Sequence, residues 1–425
     1  MKWPNLVLAV MVAATAPAVL AAPAALAAPS VLTLDQALSN ARQNQPQLRQ
    51  AQATVQAAQA RTRNSRASLL PQINLGAGYN TGSGRQNLGV IGDSNLSLRA
   101  SQLIYDFGQR GNRFEASNAQ LAAQQHSERE TQQQVMLNVR TAFFAAQASK
   151  VLLEVNREAL ANQQRHLQQA TQFVNAGTRP PIDVVQERAN VANAQRQLIN
   201  AENDYTTSKA RLNQAMGLET GLDFEVATGW MTEVTGEGLS LEHLLQEAEQ
   251  NRPEIARMNE QVRAQELSLA AQRSAGSPTL TGSAGVGDSG LLLGQPGTSW
   301  QANVSMSWPL FAGGSIRAGI DEAEANLAGV KAQVATLRQQ VRLELTEAKL
   351  SITSQKAAIR AAQESVRNAA ERLKLAEGRY AAGVGNIIEL ADAQLALTTA
   401  RSQVVQEEYR LAVGRAQLLK ALGRE

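Results

Sequence analysis

The chain has 425 residues, with 40 basic against 37 acidic side chains and a formal net charge of +3, so nothing in its charge argues for a nucleic-acid partner. Hydrophobic residues make up 44% of it but aromatic ones only 4%, a composition of long helices rather than of a bulky globular core. No cysteine is present, which rules out disulfides, thiolate metal sites, thiol nucleophiles and a lipid carried on an N-terminal Cys.

Residues 1–28 read as a secretory signal peptide: Lys2, an uncharged apolar run, then the small-x-small signal Ala25-Leu26-Ala27. Pro17 and Pro23 inside the run count against a retained membrane anchor. No later stretch approaches the roughly 20 consecutive apolar residues of a spanning helix, so any membrane crossing must be made by strands. The three histidines, His126, His166 and His243, lie far apart and in no zinc-site spacing.

The remainder is a duplication. LTLDQALSNARQNQP (Leu32–Pro46) returns as LSLEHLLQEAEQNRP (Leu239–Pro253), which sets a first structural repeat at 29–217, a linker without strong periodicity at 218–238, and a second repeat at 239–425. Each repeat begins with an Ala-, Gln- and Arg-rich helix that runs toward a proline, Pro71 or Pro278. Strands are expected next, over about 71–81 and 95–106 in the first repeat and about 278–287 and 299–311 in the second. In the first of these, Ile73, Leu75, Ala77 and Tyr79 alternate with Asn74, Gly76, Gly78 and Asn80; Leu96, Leu98, Ala100 and Ile104 line one side of the second. The last has the clearest period of two, with Trp300, Ala302, Val304, Met306, Trp308 and Leu310 on one face and small uncharged residues on the other. Trp300, Val304 and Trp308 are therefore expected to face lipid, with the opposite side turned to a wet lumen. Gly-, Ser- and Asn-rich loops are expected at Thr81–Ser94 and Gly287–Ser299.

Each second strand leads into a rod nearly free of helix breakers, about 109–175 and 315–381. A helix of that length spans roughly 100 Å, and its steps of three, four and seven between apolar residues indicate coiled-coil packing. The rods end at matched turns, AGTRPPIDVVQ (Ala176–Gln186) and AGVGNIIELAD (Ala382–Asp392), and a helix of about 35 residues returns from each.

Four strands cannot close a barrel, because the smallest outer-membrane barrels use eight, and open edges in lipid leave backbone groups unsatisfied at several kcal/mol each. A cyclic oligomer solves this: two copies give eight strands, and three give twelve with a wider pore. Strand and rod are continuous in sequence, so the rods should prolong the barrel as a helical tube, which is a conduit. No nucleophile–base pair, phosphate loop or ligand cluster points to an enzyme. The alternative, a periplasmic coiled-coil structural or adaptor protein without a membrane barrel, explains the rods but not four amphipathic strands.

These elements, in this order and duplicated at near-constant spacing, resemble the TolC family of outer-membrane efflux and secretion channels. The residues that carry the resemblance are LTLDQAL and NQP in the first helix, the strand ends IYDFG and LFAGG, and the two turns AGTRPPIDVVQ and AGVGNIIELADAQ. The resemblance implies a membrane α+β fold: a trimer with a shared 12-stranded β-barrel, a long periplasmic α-helical coiled-coil barrel, and an equatorial region at 218–238. It implies as partners a periplasmic adaptor and an inner-membrane efflux or ABC transporter, with drugs or secreted polypeptides as cargo and no cofactor. Without a cysteine, the chain resembles the family's unlipidated branch.

The resemblance also suggests sites. Gly177 and Gly383, at the free tips of the rods, are expected to contact the adaptor, unless they are only tight turns. Asp183 and Tyr380 match positions that hold the family's periplasmic gate closed. The family's basic gate partner aligns with Gly385, leaving Arg179, its counterpart in the first repeat, as the substitute. Glu389 and Asp392 match an acidic ring of the pore mouth that selects cations, although acids in a helix's first turn also have a simple explanation in its dipole.

Overall fold

The computed structural model describes residues 30–83, 90–219, 221–290 and 297–424. The expected signal peptide at 1–28 lies outside the described residues, as do the middle of the expected loop 81–94 and part of the loop 287–299.

A three-residue strand, β1 (Ser30–Leu32), opens the first repeat and is followed by α1 (Leu34–Asn44) and α2 (Pro46–Ala67). Thr33 begins α1 with a full capping box, its hydroxyl accepting from the Gln36 amide while the Gln36 side chain accepts from the Thr33 amide. The single helix expected here is thus two. Gln45 is held extended at φ −66° and ψ 119° because it precedes Pro46, and that proline sits at the first position of α2, where its missing N–H costs nothing. The second repeat breaks in the same way at Arg252-Pro253, between α5 (Leu241–Asn251) and α6 (Pro253–Arg273).

The strands β2 (Gln72–Ser83), β3 (Val90–Tyr105), β5 (Thr279–Gly290) and β6 (Ser299–Ser307) form one antiparallel sheet in the order β2-β3-β5-β6. β3 and β5 reach further toward the loops than expected, because β3 already pairs with β2 from Val90 and with β5 as far as Gly290. β6 stops four residues short of the expected end, before Trp308-Pro309, where proline removes a ladder donor.

From β3 and β6 the chain enters the rods α3 (Gln109–Asn175) and α7 (Ser315–Ala381), each of 67 residues. Both junctions use two consecutive left-handed residues, Phe107-Gly108 (φ 55° and 83°) and Gly313-Gly314 (φ 59° and 87°). Asp106 closes the first junction by accepting from the Arg110 and Gly108 amides at 2.8 and 3.1 Å. Returning helices α4 (Ile182–Met216) and α8 (Ile387–Ala421) run back along the rods. α3 packs against α4, α6 and α8, and α7 against α6 and α8. The end of α4 meets the start of α2, and the end of α8 meets the start of α6, so each pair stacks into a composite rod. Both joints are too close for any side chain. A Cβ on Gly217 would lie 2.7 Å from Gln45 Cα, and one on Gly423 would lie 2.7 Å from Asn251 C.

Two cores sit at the joints, and a third lies toward the tip, between the end of α7 and the start of α8. One gathers Met136, Phe143 and Phe144 of α3 with Leu212 and Met216 of α4; another gathers Leu345 of α7 with Leu244, Leu418 and Leu422. The linker 218–238 crosses both. Within it lies β4 (Phe224–Val226), which pairs in parallel with β1, a two-strand contact too short to be legible in sequence. Lys150 of α3 donates to Val226 O at 3.1 Å, and Arg415 of α8 to Met231 O at 2.6 Å. Lys356 of α7 pairs with Glu233 and Glu237 at 2.7 Å each. The linker is a strap across three helices. Among the described residues no helix is apolar enough to cross a membrane.

Candidate functional site

At the free end of the rods, two Schellman turns reverse the chain. Thr178 N–H donates to Phe173 O at 3.0 Å and Val384 N–H to Arg379 O at 3.1 Å, around Gly177 and Gly383 at φ 74° and 83°. Around either glycine, a Cβ would meet nothing within 4 Å. The two expected contact residues therefore stand at open tips.

Just inside the tips the two hairpins are linked. Tyr380, in the last turn of α7, is buried and donates its hydroxyl to Asp183 Oδ2 in the first turn of α4 at 3.0 Å. Burial raises the Tyr380 phenol well above its ordinary value, and the bond to the Asp183 carboxylate and that carboxylate's charge add to the shift. Arg179 lies over the Tyr380 ring at 4.6 Å and donates to the carbonyls of Tyr380 and Gly385, both at 2.9 Å. Phe173 packs beside the same ring at a centroid separation of 5.9 Å. The structure thus brings Asp183, Tyr380 and Arg179 together, the last through main-chain oxygens and the ring face. A side chain at Gly385 has no room, since its Cβ would lie 2.8 Å from Tyr380 N and 2.9 Å from Arg379 C.

Sequence reasoning missed Glu187. It stands one helical turn from Asp183, is 1% exposed, and has Oε2 buried without a hydrogen-bond partner while Oε1 accepts from Asn190 at 3.0 Å. Burial pushes its carboxyl above the usual range; the Asn190 bond opposes this and the charge of Asp183 adds to it. The i, i+4 spacing of two acids was the available signal. His166 of α3 is also buried, 3.7 Å from Glu377 of α7. Its imidazole is held below the ordinary value by burial, against the pull of Glu377 and with the help of Arg165.

Glu389 and Asp392 occupy one face of α8 near its start. Asn386 caps that helix, its side chain accepting from the Ile388 amide at 3.1 Å. Glu389 is half-buried and pairs with Arg379 at 3.4 Å, a partner that spacing alone did not reveal. Asp392 is exposed and lines a groove of about 630 Å³ between α4 and α8, opposite Gln186 and Asn190 and floored by Ala159 and Gln163 of α3.

At the other end of the molecule, the sheet register collects the apolar residues on one face. Leu75 pairs with Leu98, Leu98 with Val286, and Val286 with Trp300; one step along, Ile73, Ala100, Ala284 and Ala302 align. A register shift between Leu103 and Tyr105 sets Tyr105 opposite Leu280, re-aiming it to this face. Trp300 is 81% exposed and Val304 66%, so nothing among the described residues covers this side. Trp308, also exposed, lies one residue beyond β6. The reverse face carries the uncharged Asn74, Ser97, Ser283, Gln301 and Asn303, together with Arg99. Among the described residues, strands β2 and β6 each leave one edge unpaired.

Comparison with known proteins joins both ends of the molecule to one group. The profile of a family described as "Outer membrane efflux protein" matches residues 37–218 and 244–424. The chain is 25% identical over 414 residues to outer membrane protein TolC of Escherichia coli (strain K12), covering 92% of this chain and 82% of that one. It is 27% identical over 403 residues to the solvent efflux pump outer membrane protein SrpC of Pseudomonas putida, covering 92% and 84%. The solved structure of CusC superposes with a TM-score of 0.84 at 22% identity, over 92% of each chain.

Proposed function

The chain belongs to the outer membrane efflux protein family and is an outer-membrane efflux channel with a periplasmic helical extension, and on that premise we propose that three copies close a single continuous pore. The observation that carries this reading is a four-stranded sheet with, among the described residues, two open edges and one uncovered apolar face. Backbone groups on such edges must be paired inside a bilayer, and three sets of four strands give a twelve-stranded barrel wide enough to hold water. The rods then continue the barrel into the periplasm.

In this reading a periplasmic adaptor docks on the tips at Gly177 and Gly383, and an inner-membrane efflux or ABC transporter supplies the energy and chooses the cargo. That a relative is named for solvent efflux favours small organic molecules over polypeptides. The Tyr380–Asp183 bond, backed by Arg179, holds the resting periplasmic end closed; a phenol donating to a carboxylate is a charge-assisted bond, strong yet reversible. Glu389 and Asp392 from three copies place six carboxylates around the mouth, and such rings favour cations. Pairing with Arg379 neutralises part of the Glu389 charge, so Asp392 carries the larger share. The test is conductance of the purified protein in planar bilayers. Cation-selective channels blocked by a trivalent cation added from the rod side are expected, with the block strongly weakened when Glu389→Ala and Asp392→Ala are combined. Full block in the double variant would remove these acids from the lumen, and absence of channels would overturn the pore itself.

A further inference from the structure

Among the side chains described on the wet face of the sheet, Arg99 carries the one charge. By register it pairs with Asn74 of β2 and Gly285 of β5, and Gly285 in turn with Gln301 of β6. A Cβ built on Gly285 would lie 3.9 Å from Arg99 Cβ, so the two project to the same side, opposite the Leu98 and Val286 face. Arg99 is exposed, and among the described residues no acidic side chain pairs with it. Along the same strand the backbone of Asp93 is six residues, roughly 20 Å, away.

Its depth gives this isolation a meaning. The neighbours in sequence, Leu98 and Ala100, belong to the apolar band with Leu75, Ile73, Ala284 and Val286. The guanidinium is therefore level with the hydrocarbon region, where a charge is tolerated only when it faces a water-filled path. A twelve-stranded barrel with strands about 4.8 Å apart, tilted about 40°, is roughly 24 Å across. Three long arginines reaching inward bring their charges within little more than the Debye length of about 8 Å, so their fields overlap. The low-dielectric wall concentrates that field along the axis. Lining residues of either sign tune which ions a barrel passes, and rings of arginine favour anions.

We propose that Arg99 and its two symmetry copies form a cationic ring at mid-height of the barrel that binds the carboxylate, phosphate or sulfonate groups of passing cargo; this rests on the trimeric pore proposed above. The tube then carries two filters of opposite sign, acidic at the periplasmic mouth and basic within the membrane. An anionic group that clears the mouth meets a weak binding site before release, and the five donors of each guanidinium suit oxyanions in several orientations.

The experiment uses the full-length protein in planar bilayers with tripolyphosphate added on the loop side. Wild-type channels are expected to be blocked, less so at high salt, and Arg99→Gln is expected to raise the blocking concentration about tenfold or more. Arg99→Lys, which keeps the charge, should stay close to wild type. Normal wild-type conductance with equal block of wild type and R99Q overturns the ring and leaves the pore standing. A wild-type protein that forms no channels overturns the pore reading itself. Should R99Q fail to assemble, wild type decides alone: current unaffected by loop-side tripolyphosphate at low salt overturns the ring.

Discussion

Two buried residues near the tips decide how the hairpins hold together. Tyr380→Phe keeps the ring under Arg179 and beside Phe173 but leaves the buried Asp183 carboxylate without its phenol donor. A lost bond to a buried charged group costs about 1–3 kcal/mol, so reconstituted Y380F channels are expected to conduct more than wild type; equal conductance would reduce Tyr380 to the last packing residue of its rod. Glu187 makes the opposite contribution. Its carboxyl binds a proton more tightly folded than unfolded, so the stability it adds is complete below pH about 4.5 and is lost as pH rises through its raised value. Glu187→Gln keeps the oxygen that accepts from Asn190 and removes the buried charge. It should stabilise the protein by about 1 kcal/mol at pH 7, with the gain in Tm shrinking toward pH 4. A gain that is the same at both pH values would mean that the charge of Glu187 is not what costs stability.

At the scale of elements, glycine serves two different ends. At the α4–α2 and α8–α6 joints it lets backbones touch, whereas at the tips it only supplies a left-handed turn in open space. Gly177→Trp and Gly383→Trp should therefore cost only the left-handed backbone penalty of about 1–2 kcal/mol each and leave heat-modifiable oligomers in the outer membrane. Export is expected to fail, because the bulk projects where the adaptor would dock; sustained export of a test drug would move the docking surface elsewhere. The strand-to-rod junctions show the same economy. Where the first repeat uses Phe107-Gly108 with Asp106 as a cap, the second uses two glycines and no side-chain cap.

For the whole molecule, the decisive contrast is between the two faces of β6. Val304 and Ser305 are adjacent and both exposed in a single chain, yet alternation sends them to opposite sides of the sheet. Val304→Arg should cost about 2–4 kcal/mol in the bilayer and impair assembly, while Ser305→Arg should assemble and change conductance. The readout is the fraction of heat-modifiable oligomer in outer-membrane extracts, and equal loss in both variants would contradict a lipid face on one side and water on the other.

Sequence alone determined the elements with strong periods. Repeats of three, four and seven between glycine-flanked turns placed both 67-residue rods within the limits the structure assigns, because a solvated helix of that length is governed by local hydrogen bonding and a regular apolar stripe. Alternation over about 299–311 likewise separated two faces, although β6 itself ends at Ser307. Only tertiary structure decided the rest. The β1–β4 pair joins segments nearly 200 residues apart with three residues each, and the Gly217 and Gly423 joints exist because distant helix ends meet. Arg179 acts through the carbonyls of Tyr380 and Gly385, Glu389 finds Arg379, and Glu187 loses its solvent. Such contacts depend on which hairpin packs on which, and the spacing of residues along one chain carries no record of the distance between two hairpins.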